Sequence, residues 1–280
     1  MNTTLVFLFF SSMRQIDKTI LKQLRLPRPA SHKRDNGRLL IVAGSGRYHG
    51  SLVYAVKAAS RLVDLTYVLS TPENQKLIAK MKLLTAEFMP APEMPQQGRE
   101  YDFDCILIGP GLGISDRTVS LVKRALATSM KVVLDADALN VLDDPLKKLL
   151  GANHILTPHR GEFRRLFRMP PTVDNAYKMT KRYGCTIVLK GPSDIITNPK
   201  QRIYECRGGN AGMTKGGTGD VLAGLIAALF CTNTAFVAAA AGSYINKAAG
   251  DELYRRVGTF YDAEDLVEQV PKTFYKLTRS

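Results

Sequence analysis

The chain has 280 residues, 45% of them apolar, with 39 Lys/Arg against 25 Asp/Glu and a formal net charge of +14. That length and apolar share suffice for one large buried core, and the lack of long Ser/Gly/Pro linkers speaks against two independent domains. The charge suits phosphorylated ligands and permits non-specific nucleic-acid binding, but no aromatic-rich basic motif of the RNA-binding kind occurs, so a specific nucleic-acid partner is not expected.

At the N-terminus, residues 1–40 carry eight Lys/Arg against Asp17 and Asp35. The apolar run at 5–10 is too short to span a bilayer. It has no basic segment before it and no convincing small-residue cleavage site after it, so it reads as neither a membrane anchor nor a signal peptide. Translation beginning at Met13 is an economical alternative, and residues 1–12 are expected to add little to the fold. Residues 1–24 are therefore read as an N-terminal extension and 25–280 as a single domain.

From about residue 38, apolar β-like runs alternate with helical patterns. Strands are expected at 39–43, 66–69, 105–108, 132–134, 155–157, 186–189 and 194–197, with another near 202–206. Helices are expected at 52–63, 74–83, 118–128, 173–183, 218–230 and 235–249. Such alternation predicts a mainly parallel sheet covered on both faces, with ligands at the carboxyl ends of the strands. Polar or glycine-rich turns do follow those ends: Gly44-Ser45-Gly46-Arg47-Tyr48-His49-Gly50, Gly109-Pro110-Gly111-Leu112-Gly113, Asp135-Ala136-Asp137-Ala138-Leu139-Asn140, Thr157-Pro158-His159-Arg160-Gly161-Glu162 and Lys190-Gly191-Pro192.

Taken singly, these turns say less. Gly44, Gly46 and Gly50 miss the GxGxxG spacing by one residue, so a close-approach loop is favoured over a dinucleotide fingerprint. Neither a P-loop nor a GxSxG elbow occurs. Asp135 and Asp137 read either as a pair of turn and cap residues or with one capping the following helix while the other faces the pocket. Proline ends the pairing before His159, leaving that imidazole at a rim. Glu162 reads equally as a helix cap or as a water-mediated Mg²⁺ ligand. Lys190 closes an apolar strand, where it would meet a phosphate or reach solvent. The four cysteines (Cys105, Cys185, Cys206, Cys231) and four histidines (His32, His49, His154, His159) show no CxxC pair or metal-ligand spacing. No zinc site follows, and a reducing, cytoplasmic setting is expected.

The densest signal is Gly208-Gly209-Asn210-Ala211-Gly212-Met213-Thr214-Lys215-Gly216-Gly217-Thr218-Gly219-Asp220, running straight into an apolar helix pattern. Glycines let several backbone N–H groups converge, and the helix N-terminus adds partial positive charge, which makes a phosphate cradle. Asp220 would be repelled by its own ligand there. It reads as a base that takes a proton from a hydroxyl being phosphorylated, ahead of a residue that merely favours the helix dipole.

These motifs in this order, with Ser31-His32-Lys33-Arg34-Asp35-Asn36-Gly37-Arg38 before the first strand, resemble the ADP/ATP-dependent NAD(P)H-hydrate dehydratases of the ribokinase-like superfamily. The resemblance covers about residues 25–270. It implies a three-layer α/β/α sandwich with a mainly parallel central sheet. It also implies a metabolite-repair lyase that dehydrates the S form of hydrated NADH or NADPH (NADHX, NADPHX). The ring hydroxyl is phosphorylated by ADP or ATP, Mg²⁺ accompanies the nucleotide, and phosphate then leaves. By motif position, Asp220 is the catalytic base, and Ser51, Gly113, His159 and Asp220 bind the hydrated cofactor. Lys190, Gly191, Pro192, Ser193, Asp194, Gly216, Gly217 and Gly219 bind the nucleotide. No metal ligand is assigned.

In two places the sequence departs from the family pattern: Ser51 replaces the usual alanine, and Lys215 replaces a small residue beside the glycine loop, either to touch phosphate or to point outward. Many bacterial members also carry an epimerase domain, for which this chain is too short, so a separate epimerase is the expected partner. No membrane partner is expected, and a homo-oligomer is left open. The rival within the superfamily is a kinase acting on a thiazole or pyridine alcohol; the non-enzymatic rival is a nucleotide- or nucleic-acid-binding protein.

Overall fold

The computed structural model describes residues 13–83, 85–91, 93–95, 103–200 and 203–279. Residues 1–12, with their expected minor role, and Arg202, near the expected start of a strand, lie outside them. Among the described residues ten strands form one sheet: β1 (Arg14–Gln15), β2 (Arg38–Val42), β3 (Leu65–Leu69), β4 (Met89–Pro90), β5 (Cys105–Ile108), β6 (Lys131–Leu134), β7 (His154–Leu156), β8 (Thr186–Leu189), β9 (Asp194–Thr197) and β10 (Tyr204–Cys206). Their spatial order is β1-β10-β9-β8-β7-β6-β5-β2-β3-β4. Neighbours are parallel except that β9 runs antiparallel to both β8 and β10.

The α-helices in chain order are α1 (His49–Ala59), α2 (Gln75–Met81), α3 (Asp116–Leu126), α4 (Asp137–Asn140), α5 (Asp144–Lys147), α6 (Arg160–Phe167), α7 (Val173–Tyr183), α8 (Thr218–Thr232), α9 (Ala235–Val257) and α10 (Ala263–Arg279). Successive strand side chains point to opposite faces. Leu39, Ile41, Cys105, Leu107 and Val133 therefore pack with α1, α8, α9 and α10, while Leu40, Ile106, Ile108, Val132 and Leu134 pack with α3, α6 and α7. Both faces are covered, which is why these strands read as unbroken apolar runs. The result is the expected three-layer α/β/α sandwich.

Four departures from the sequence reading have physical causes. Residues 14–24, read as part of an extension, belong to the core edge: Arg14 and Gln15 pair with Tyr204 and Glu205, and Ile16, Ile20, Leu21 and Leu24 are buried. α1 starts at His49 and stops at Ala59; beyond it the Asp64 carboxylate accepts the backbone N–H groups of Arg34 and Asn36 at 2.9 and 3.0 Å, stitching a turn. α9 passes Gly250, which is not a terminator; a Cβ there would lie 2.5 Å from the Met213 Sδ, so the glycine serves close packing. α10 went unassigned and contains Pro271, normally a helix breaker. Its buried Ala263, Leu266, Val267, Val270 and Phe274 follow helical spacing, and burial of that stripe holds it together.

One long-range tie sets the position of α8. Lys131, at the start of β6, donates from Nζ to the carbonyls of Phe230 (2.8 Å), Cys231 (3.1 Å) and Asn233 (3.0 Å), capping the helix's last turn with positive charge.

Candidate active site

The parallel strands end in step, and their ladder continues one residue further. The N–H groups of Gly109, Asp135 and Thr157 donate to Val42, Ile108 and Leu134, each at 3.1 Å, and Lys190 N–H reaches the Pro158 carbonyl at 2.8 Å. The loops singled out in the sequence thus meet along one sheet edge. Gly44 has φ +77°, and a Cβ there would lie 2.7 Å from Asn74 Nδ2, which fits the close-approach loop. Gly109 has φ +125°, and a Cβ there would fall 1.9 Å from the Asp135 carbonyl oxygen, so only glycine is tolerated.

Neither aspartate after β6 caps the next helix. β6 stops at Leu134, so strand alternation no longer governs them, and Ala136 between them adopts φ 49°. Asp137 Oδ2 accepts the Gly113 N–H at 2.8 Å and so shapes the Gly109–Gly113 loop from outside. Asp135, 2% exposed, accepts from Lys190 Nζ and from the Thr157 hydroxyl, both at 2.7 Å on Oδ1. Burial alone would lower the Lys190 ammonium's proton affinity, but Asp135, Glu162 and Asp220 outweigh it and hold Lys190 above its ordinary value.

Asp220 lies in the first turn of α8, behind Gly217 with its φ of +93°. Burial first, then the nearby Asp135 charge, push its carboxyl up to about 6, against the opposing pull of a Ser51 hydrogen bond and of Lys190. A carboxylate that titrates there is ionised at neutral pH and binds a proton more avidly than an ordinary aspartate, which suits a general base. Ser51 stands in the first turn of α1, across from that helix. Lys190 Nζ is 3.6 Å from where a Gly219 Cβ would be, so the cation lies beside the first turn of α8.

His159 caps α6: its Nδ1 accepts the N–H groups of Gly161 and Glu162 at 2.9 and 3.2 Å, and Glu162 Oε2 accepts the His159 N–H at 2.8 Å. This capping box decides between the two readings of Glu162 in favour of the cap. His159 still borders a cavity of about 670 Å³ together with Lys190, Gly191, Pro192, Asp194 and Gly219. Ser193, Gly216 and Gly217 do not line it. The Ser193 hydroxyl turns to Glu205 at the sheet edge, and the Tyr54 ring covers Gly217. Lys215 neither joins the cradle nor points away; its Nζ donates to the carbonyls of Thr259 (2.7 Å) and Tyr261. A separate cleft of about 540 Å³ at Lys147, Lys148 and Arg182 shares no residue with these loops.

The cavity also holds Asn210, from the glycine-rich segment, and Asn246 and Lys247, which the sequence reading missed. Lys247 Nζ donates to the Gly191 and Pro192 carbonyls at 3.2 and 3.0 Å and lies 3.4 Å from Asp194 Oδ1, which itself accepts the Gly191 N–H at 3.1 Å. Asp194 is therefore an internal brace of its loop. Asn246 buries a carboxamide oxygen with no partner among the described residues, beside this cavity. The signal was legible: Asn246-Lys247 is a polar pair inside an otherwise apolar helix pattern.

The model of the NAD(P)H-hydrate dehydratase family matches residues 39–272, which contain every one of these loops. The chain belongs to that family. It is 40% identical over 262 residues to the bifunctional NAD(P)H-hydrate repair enzyme of Methanocaldococcus jannaschii, covering 90% of this chain and 50% of that protein. The chain thus spans about half the length of such bifunctional relatives. It is 33% identical over 270 residues to the ADP-dependent (S)-NAD(P)H-hydrate dehydratase of Cenarchaeum symbiosum, covering 89% of this chain and 92% of the relative. Among solved structures, the ADP/ATP-dependent NAD(P)H-hydrate dehydratase of Bacillus subtilis, co-crystallized with ATP/Mg²⁺, superposes with a TM-score of 0.81 at 23% identity, covering 95% and 99% of the two chains. That likeness shows the ribokinase-like fold. Family and fold agree with the expectation from the motifs. Among the described residues no helix is long and apolar enough to cross a membrane.

Proposed function

We propose that this protein restores hydrated NADH and NADPH by nucleotide-dependent dehydration, acting on the S form. The observation that carries this reading is Asp220 itself: a base titrating near 6 at the start of α8, beside a fixed ammonium and the glycine loop. The ring hydroxyl of the hydrated cofactor gives its proton to Asp220 as its oxygen attacks the terminal phosphorus of ADP or ATP. The bond from that phosphorus to the bridging oxygen breaks, and AMP or ADP leaves. The backbone N–H of Gly219 and the Lys190 ammonium receive the charge spread over the transferred phosphoryl. The ring nitrogen then pushes out phosphate, a neighbouring ring proton is lost, and the dihydronicotinamide returns.

The nucleotide is proposed to occupy the cavity along Lys190, Gly191, Pro192 and Gly219, with Asp194 holding the loop. The hydrated ring is proposed to lie towards Ser51 and Gly113, with His159 at the rim between them. The names of the relatives support the substrate and the ADP requirement. Mg²⁺ is a different matter. Asp135, Asp137 and Glu162 are committed to Lys190, Gly113 and His159, and no group of three His, Cys, Asp or Glu among the described residues is set to hold a metal. The side chains do not fit a resident metal, so Mg²⁺ is assigned to the nucleotide's own phosphates and no step is drawn through it. Residues 25–280, with the stretch from residue 14 stitched to their sheet, are proposed as the unit that carries the activity. A companion epimerase acting on the other hydrate is proposed as partner, supported by the bifunctional naming of relatives twice as long.

Incubation of the protein with hydrated NADH and either nucleotide tests the reading. Recovery of the near-ultraviolet absorbance of the dihydronicotinamide ring is expected. No recovery with either nucleotide, alongside a stable phosphorylated alcohol, would replace the dehydratase with a small-molecule kinase.

A further inference from the structure

The two aspartates after β6 hang on a backbone that local preference opposes. Ala136, at φ 49° and ψ −116°, occupies a region that side-chain-bearing residues rarely adopt. Behind it the Asp135 carbonyl presses on Gly109, where no Cβ fits. Strain of this kind persists only where the surroundings over-determine it, and it gathers at functional sites. Here it turns Asp135 Oδ1 onto Lys190 Nζ and the Thr157 hydroxyl, both at 2.7 Å, while Asp137 turns to Gly113. Asp135 is sealed from water and Lys190 Nζ lies next to Gly219.

We propose that Asp135 is a positioning residue of the reaction. It pins the Lys190 ammonium beside the first turn of α8, where the transferred phosphoryl arrives, and so sets the charge around Asp220. The inference rests on the reading of Asp220 as the base. The groups that face Asp220 are Asp135, Asp137 and Lys190, the Ser51 hydroxyl, and Tyr54 across on α1. After burial, Asp135 is the strongest influence holding the Asp220 proton, and Lys190 opposes it. Removing the Asp135 charge acts twice in one direction: a repulsion disappears, and the Lys190 charge is left uncompensated beside Asp220.

Three variants of the full chain test this: Asp135→Asn, Asp135→Glu and Thr157→Val. Two readouts are followed: kcat and KM with hydrated NADH and nucleotide across pH, and the Asp220 carboxyl titrated by carbon NMR without ligands. In Asp135→Asn, kcat falls roughly tenfold to a hundredfold as Lys190 loses its place, and nucleotide KM changes little. Both the acid limb of kcat/KM and the carboxyl titration move to lower pH. Asp135→Glu keeps the titration near that of the unaltered protein while kcat stays depressed, and Thr157→Val lowers kcat less, without moving the titration. Should Asp135→Asn fail to fold, the other two variants still decide. An unmoved Asp220 titration in folded Asp135→Asn, or unaltered kcat in both other variants, overturns the proposal. An unaltered protein that ignores hydrated NADH, yet whose Asp220 titration drops in Asp135→Asn, overturns the dehydratase reading and sustains this one.

Discussion

Two lysine–aspartate pairs flank the loop after β8, and they differ in what the lysine has left to give. Lys247 meets Asp194 at 3.4 Å and also donates to the Gly191 and Pro192 carbonyls, so its three N–H groups are spent on the loop. Lys190 meets Asp135 at 2.7 Å and has no second acceptor among the described residues. The same side chains thus serve two ends. A saturated ammonium holds backbone in place, whereas a singly anchored one keeps donors for a ligand. Charge and burial alone do not separate the two cases; the count of satisfied donors does.

Substitutions can break that contrast or sharpen it. The largest expected effect is on stability: Lys247→Met leaves Asp194 buried without its cation and should lower the unfolding free energy by about 3–5 kcal/mol, read from urea denaturation. Next comes Lys190→Met, which should cut turnover roughly 10²–10³-fold, as expected for loss of a charge-stabilising donor, while its urea midpoint moves less because Asp135 keeps the Thr157 hydroxyl. If both variants lost stability and turnover in equal measure, the distinction would fail. The smallest effect is a gain. The folded-state value of Asp220, about 6, lies above the ordinary 3.8, so the folded protein binds that proton more tightly than the unfolded chain. Stability from this group is present below about pH 3.8 and is lost as pH rises towards 6. Asp220→Asn should therefore stabilise the protein above that window by at most about 3 kcal/mol, with no gain below it, while abolishing turnover. Denaturation on both sides of the window measures it.

Much of the turn geometry along the sheet edge could be read before the fold was known, because glycine density and polar turns after apolar runs report on backbone geometry directly. Gly216–Asp220 and the Asp135–Asp137 turn were found that way. What stayed hidden depends on contacts between distant segments. Nothing near Ala136 announces its positive φ, which follows from Gly109 and Thr157 just beyond two other strands. Glu162 could not be assigned until the His159 imidazole was seen to cap its helix. α9 runs past its expected end at 249 through Gly250, a packing contact; α10 was missed because its integrity comes from the stripe it buries and not from local preference.

Lys131 gives the site a dimension that no loop controls. It fastens the far end of α8 to the first residue of β6, and each element delivers one of the interacting carboxylates at its other end: Asp220 at the start of α8, Asp135 just beyond β6. A fifteen-residue helix is a stiff rod of about 22 Å, so helix and strand act as two bars pinned at one joint. The span between the carboxylates is thereby gauged from the opposite side of the molecule as well as by the loops around the mouth.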